Sequence, residues 1–314
     1  STAVGHQTLA FGEDATTVGR GSSAVGLGTT ALGAGASAMG IGATALGSGA
    51  YSTGGVAVGT DATATGLVAT AVGPMARAGG FGSVAIGYNN DASGNDATAV
   101  GTIAYATAEG TSAIGYGARA TMMNSGAFGR GSAASGTSAT AVGAFSRAPG
   151  EYSTALGSFA RAEGADSIAA GAFAKAQAWT SIAIGGYASV TGEQGIAIGY
   201  DAHVTAADAL ALGAGSIADR AGTVSVGSVG KERQITHVAE GTRSTDAVNK
   251  QQLDTAIADI GEGVGEIAET AVRYEGKDKA RISLGGEQGT TISNLRAGTG
   301  RMDAVNVDQL EGVV

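Results

Sequence analysis

Seven side chains fall into two interleaved columns. Phe145, Phe159, Phe173 and Tyr187 stand 14 residues apart, and Arg147, Arg161 and Lys175 each follow a ring by two residues. If the chain coils with that period, equivalent residues stack about 4.8 Å apart on successive strands. Residues i and i+2 of a strand point the same way, so rings and cations would share one half-exposed face. The chemistry such a stripe offers is non-covalent recognition. Trp179 is expected at its border. Stacked like charges repel, and Glu151, Glu163 or the ring faces would offset them, cation–π contacts being worth about 0.5–1 kcal/mol at exposed sites. The same register also fits a ladder that only stiffens the coil.

Little else could do chemistry. His6, His203 and His237 lie far apart and form no metal-ligand spacing. His203 falls in the exposed column of Lys175 and reads as a surface residue. No Ser or Asp has a partnered His in a recognisable triad. The Gly-x-Gly strings are turn residues, because no strand–loop–helix unit surrounds them as a phosphate loop requires. No cofactor, metal site or catalytic residue is expected.

The elements that carry the columns are read from the glycines. Ala-apolar-Gly recurs with Gly at 59, 73, 87, 101, 115, 129, 143, 157, 171, 185, 199 and 213, always 14 apart, and Ser225-Val226-Gly227 closes the series. Upstream, Gly falls at 5, 12, 19, 26, 33, 40 and 47, at intervals of seven, and the step from Gly47 to Gly59 is 12. Seven nested in 14 means two short strands and two turns per coil, so about 16 coils form a β-solenoid. Such regularity excludes a disordered low-complexity tract. Val, Ile, Leu or Thr flank the repeated Ala, as in Val84-Ala85-Ile86-Gly87. Apolar groups at consecutive positions predict that both faces of this strand are buried. One face can pack on the second strand of its own coil, and the other then needs another copy of the chain. The second strand alternates, with small residues such as Ser146 and Ala148 pointing inward and large ones outward.

Composition agrees with thin layers. Of 314 residues 56 are Gly, two Pro and none Cys, and only 14% are charged. The net charge of −9 argues against nucleic acid as a partner. No apolar run reaches membrane-spanning length, and Ser1 opens no signal-peptide pattern.

After Gly227 the period stops. Leu253, Ile257, Ile260, Val264 and Ile267 form an a/d heptad seam, and β-branched residues at both positions favour three or more strands. Gly261, Gly263 and Gly265 weaken this helix by about 1 kcal/mol each. Residues 235–253 return at 292–310, with 9 of 19 positions identical at an offset of 57. In both copies an Asp and an Asn, Asp246 with Asn249 and Asp303 with Asn306, are placed to turn the chain and cap a helix. The insert with Arg273–Gly276 and Ile282–Gly286 reads as one or two short strands. The predicted segments are 1–230, the coils; 231–253, the first copy of the returning segment; 254–271, a short coiled coil; 272–291, a small connecting insert; and 292–314, the second copy. The sequence ends as a further helix would begin after Leu310, which reads as a fragment.

Ser83-Val84-Ala85-Ile86-Gly87 with Ala92 and Gly94, and Ser181-Ile182-Ala183-Ile184-Gly185 with Gly192, resemble the head repeat of trimeric autotransporter adhesins of Gram-negative bacteria. Residues 233–253 and 292–310 resemble the family's neck, marked by Asp-Ala-Val-Asn and a closing Gln-Leu. The resemblance implies an all-β, left-handed parallel β-roll, a homotrimer, and display at the outer membrane. It implies a non-catalytic adhesin that binds extracellular matrix proteins of the collagen, fibronectin or laminin type, or cell-surface receptors, with autoaggregation, biofilm formation and virulence as further roles. Membrane attachment would run through an anchor domain missing from this chain. A passive spacer remains an alternative. A solenoid enzyme lacks a cleft with convergent ionisable groups, and an ice-binding array lacks an uninterrupted Thr column.

Overall fold

The computed structural model describes residues 1–285 and 287–313; Gly286 and Val314, which the connector and second neck would include, lie outside the described residues. The chain divides into two compact units, Ser1–Arg233 and Gln234–Val314.

The first unit is the parallel β-solenoid that the repeat predicts. Among the described residues it contains two parallel sheets of 17 and 16 strands. Each strand pairs with its equivalent one coil on. Thr140, Ala141 and Val142 lie beside Thr154, Ala155 and Leu156 in the first sheet, and Arg161 and Ala162 beside Lys175 and Ala176 in the second. The 12-residue coil keeps this register, with Thr44–Leu46 on Val56–Val58. Its two missing residues come out of the corner after Ser52, whose hydroxyl closes the shortened turn on the Gly55 carbonyl at 2.7 Å.

The interior is a file of alanines. Ala141, Ala155, Ala169 and Ala183 line it from the first sheet, and Ala148, Ala162 and Ala176 from the second, all fully buried. Side chains this small allow the sheets to close on each other with almost no space between. The largest fully buried groups are Val190 and Val204. Across from them stands Gly195, at the position occupied by Ser153, Ser167 and Ser181 in the preceding coils; a Cβ on Gly195 would lie 2.8 Å from Val204 Cγ1 and 2.9 Å from Val190 Cγ1. Volume gained on one wall is thus given up on the other.

Both corners of a coil are four-residue turns. Ser146 N–H donates to the Gly143 carbonyl, and Ser153 N–H to the Gly150 carbonyl. The serine hydroxyls bond the same carbonyls, at 2.9 and 2.6 Å, which satisfies polar groups that the stack buries. The third residue of each turn has positive φ, as Phe145 at 58° and Tyr152 at 54°.

The expectation that both faces of the first strand are buried needs correction for one chain. Ala85 is buried, but Val84 is only partly covered and Ile86 is exposed. Leu156, Ile184 and Leu212 repeat this outward pattern. Their covered partner face cannot come from within the coil, whose interior the alanines already fill. At the C-terminal end, the Arg233 guanidinium closes the last coils, donating to Ser216 Oγ at 2.9 Å and to the carbonyls of Val226 and Ala214.

The second unit holds helix α1 (Lys250–Thr270) and helix α2 (Val307–Glu311). Leu253, Ile257, Ile260, Val264 and Ile267 are all exposed along α1. Helix α2 starts at Val307, before Leu310 rather than after it, because Asn306 caps it there. The insert forms an isolated antiparallel bridge between Tyr274 and Ile282 instead of one or two strands. An Arg281–Glu275 ion pair at 3.6 Å spans it.

Two glycines separate crowding from backbone strain. Gly157 has φ +131°, and an added Cβ would lie 2.6 Å from the Gly171 carbonyl oxygen; Gly117 has φ +66° and open space. Gly117→Ala is expected to cost about 1 kcal/mol, the strain of a positive φ alone, and Gly157→Ala about 3 kcal/mol or more. Thermal unfolding of the two purified variants checks the order.

Candidate functional site

The ring column is a continuous stack. Phe145 and Phe159 have centroids 5.2 Å apart, Phe159 and Phe173 5.0 Å, and Phe173 and Tyr187 5.1 Å, with interplanar angles of 19°, 3° and 9°. Each ring is between 39 and 49% exposed, so their edges reach solvent although their faces cover each other. The cation column runs beside it. Arg147, Arg161 and Lys175 pair in register on consecutive strands, and a cleft of about 330 Å³ lies between them and Phe145, Phe159 and Phe173.

The rings do not sit on a strand, as the alternation argument assumed. They occupy the third position of the first corner, at φ between 58 and 61°. Gly holds that position as Gly117, Gly131 and Gly215, Asp or Asn as Asp61, Asn89 and Asp201, and single bulky residues as Met75 and Ile103. Gly, Asp and Asn tolerate positive φ, whereas a bulky side chain is strained there, and of the bulky residues only the aromatics hold the position over a run of coils. Four successive coils accept this strain, and stacking at optimal separation offsets part of it.

Trp179 does not border the stripe. It belongs to the turn that follows Lys175–Ala176, whereas the rings sit on the turn that precedes it. Other residues join the stripe instead. Arg130 stands over the Phe145 ring at 5.4 Å, and Tyr200 meets Tyr187 edge-on at 5.7 Å. Both follow their repeat Gly by one residue, in the coils just before and just after the ring run, so they cap the stack at its two ends. Stepping the register by one residue would have revealed them. Glu163, not Glu151, offsets charge: it pairs with Arg161 at 3.5 Å and accepts from Gln177 at 3.2 Å. His203, farther along the cation column, meets Asp201 at 3.0 Å.

The two necks share one hydrogen-bond set. Asn249 Oδ1 accepts from Gln252 N–H at 3.0 Å and its Nδ2 donates to the Val238 carbonyl, while Gln252 exchanges two bonds with the Gly241 backbone. Asn306, Gln309, Leu295 and Gly298 repeat this arrangement. Asp246 accepts the Thr242 and Arg243 amides, and Asp303 those of Gly300 and Thr299. These backbone bonds hold both carboxyls below the usual aspartate range. Among the described residues, no three His, Asp or Glu side chains gather as metal ligands. Among the described residues, no helix is long and apolar enough to cross a membrane.

A repeat-built solenoid followed by a neck and a helix with an exposed apolar seam defines a head-and-stalk protein. The "YadA head domain repeat (2 copies)" matches in twelve stretches, most of them overlapping, from residues 1–22 to 191–216. The "Coiled stalk of trimeric autotransporter adhesin" matches residues 234–275 and 291–314. The chain belongs to the trimeric autotransporter adhesins. It is 47% identical over 85 residues to the trimeric autotransporter adhesin AtaA of Acinetobacter sp. (strain Tol 5), across 26% of this chain and 2% of that protein. To the autotransporter adhesin BtaE of Brucella suis biovar 1 (strain 1330) it is 41% identical over 104 residues, across 29% of this chain and 14% of that protein. The autotransporter adhesin EhaG of Escherichia coli O157:H7 is 40% identical over 87 residues, 26% of this chain and 5% of that protein. The matched stretches therefore span a small part of each relative's length. Among solved structures, the collagen-binding domain of the Yersinia adhesin YadA aligns over 81% of this chain and 99% of its own, with 22% identity and a TM-score of 0.28.

The depressed carboxyls set a pH dependence. A folded pKa below the unfolded value contributes stability above the ordinary aspartate range, and that stability is lost as pH falls below about 4 through the folded pKa. Hydrogen exchange at the Thr242 and Arg243 amides should accelerate over that window relative to the intrinsic rate. In Asp246→Asn, protection should be lower at neutral pH and flat across the window; an unchanged acid response in the variant would reject Asp246 as its source.

Proposed function

We propose that the solenoid is a rigid adhesive head, non-catalytic, displayed on the surface of a Gram-negative bacterium. Its contact stripe comprises Phe145, Phe159, Phe173 and Tyr187 with Arg147, Arg161 and Lys175. The observation that carries this reading is the run of four aromatics at a corner position that disfavours them, next to a row of cations. Strain of this kind concentrates at functional sites. As partners, extracellular matrix proteins of the collagen, fibronectin or laminin type, or cell-surface receptors, suit the reading. Three copies in a homotrimer would present three stripes, so that weak single contacts combine into avidity on a repetitive target. The neck residues Asp246, Asn249, Asp303 and Asn306 fix the entry into each helix. Leu253, Ile257, Ile260, Val264 and Ile267 form the trimer seam. Association between cells through the same heads would produce autoaggregation.

One observation favours a passive spacer instead. The ring faces are consumed by one another, which is what a stiffening ladder needs.

The double variant Phe159→Ala/Arg161→Ala separates the two readings. If the stripe is adhesive, binding of the purified trimer to a matrix-protein panel and to host cells should fall by about tenfold or more, the loss of a central anchor and its charge. Light scattering must show the trimer intact. Unchanged binding by an intact trimer would leave the ladder with only its mechanical role.

A further inference from the structure

Below the ring stack both columns drop to small residues in the same coil. Gly131 stands one coil before Phe145, and Ala133 pairs directly with Arg147 on the next strand. On the far side Ala133 pairs with Arg119. The result is a trough of about 600 Å³, floored by Gly117, Gly131 and Ala133. Arg119 and Arg147 are its walls, two coils or about 10 Å apart along the axis. Arg130 and Arg161 complete a set of four guanidiniums around the space.

The balance of charge in the trough is opposite to that of the chain. The protein carries a net charge of −9, yet the lining has four arginines and one carboxylate, Glu163. Glu163 pairs with Arg161. Among the described residues Arg119, Arg130 and Arg147 have no carboxylate partner, Arg119 and Arg130 lying over Tyr105 and Phe145. Aromatic rings stacked face to face add to this field, because the edges they expose are the positive part of the quadrupole.

We propose that the trough binds a sulfate ester of an acidic polysaccharide. This rests on the adhesive reading of the stripe above and adds the class of ligand. Three guanidiniums without acidic partners suit a group with three terminal oxygens better than a carboxylate with two, since each guanidinium can then donate to its own acceptor. A polymer fits better than an isolated ion, because the cations continue in line through Arg161 to Lys175. A peptide is disfavoured because the main chain around the trough is committed to coil-to-coil pairing: Gly131 N–H to the Tyr116 carbonyl, Ala133 N–H to Ser146, and Phe145 N–H to Arg130. No strand edge is left for it to extend.

The test uses the purified trimer on immobilised heparin, with desulfated heparin, which keeps its carboxylates, and inorganic sulfate as separate arms. Wild type should bind heparin, more weakly as salt rises, and should bind neither the desulfated chain nor free sulfate with comparable strength. Ala133→Asp places a carboxylate on the floor, at a register position that holds Asp91 three coils earlier and so tolerates the side chain. It should weaken heparin binding about tenfold or more, as should Arg119→Gln/Arg147→Gln, while light scattering shows a trimer for both. Absence of wild-type binding, equal binding of desulfated heparin, equal binding of free sulfate, or unchanged binding by both trimeric variants overturns the proposal. The adhesive reading is scored separately, by Phe159→Ala/Arg161→Ala on matrix proteins and cells, so failure of the sulfate-ester proposal alone is distinguishable from failure of the reading it rests on.

Discussion

The structure depends on how closely one coil can approach the next at the repeat glycine. An added Cβ on Gly87 would stand 1.9 Å from the Gly101 carbonyl oxygen, and one on Gly185 2.4 Å from that of Gly199. No side chain fits, so the backbone itself forms the stacking surface. Coils held this tightly cannot drift in register, and each position of the repeat becomes a straight column. Chemistry placed once in a coil is then copied at strand spacing for as long as the sequence keeps it. The ring stack, the cation row and the inner serines all follow from that constraint.

The same closeness limits what holds the chain together. An alanine interior buries little apolar surface per coil, since burial stabilises in proportion to area at about 25 cal/mol per Å². Main-chain pairing between coils and the serine bonds at the corners carry much of the order within one chain. The larger apolar groups, such as Ile86, Ile184 and Leu212, are turned outward and remain exposed. The same holds for the seam of α1. In a trimer, further copies of the chain would cover both, and the outward isoleucines and leucines are the surface available for it.

The fold was legible because its signal is spacing. Glycines 14 residues apart gave the coil, the two strands and the count of coils without any long-range inference. The alignment of Phe145, Phe159, Phe173 and Tyr187 into one column was readable on the same ground. Their setting was not. Spacing says nothing about φ, and the rings occupy a strained corner rather than the strand that alternation predicts. Trp179 shows a related limit: it is near the columns in sequence but not in space, because a coil puts its two corners on opposite ends of each strand. Arg130 and Tyr200 fall outside the 14-residue column because they cap the stack from the neighbouring register. The trough is defined by small residues, Gly131 and Ala133, whose meaning comes only from the large ones around them.

In-register columns also bear on how such a chain can change length. Removing or duplicating one 14-residue coil leaves every remaining residue with neighbours of the same kind, because each coil touches only those directly before and after it. Tandem copies are prone to unequal exchange, and here an exchange in steps of whole coils would not disturb the fold. Duplication within residues 144–187 would add a ring and a cation together. The extent of the stripe is therefore open to variation between strains in discrete units, with no intermediate form that must be stable on its own.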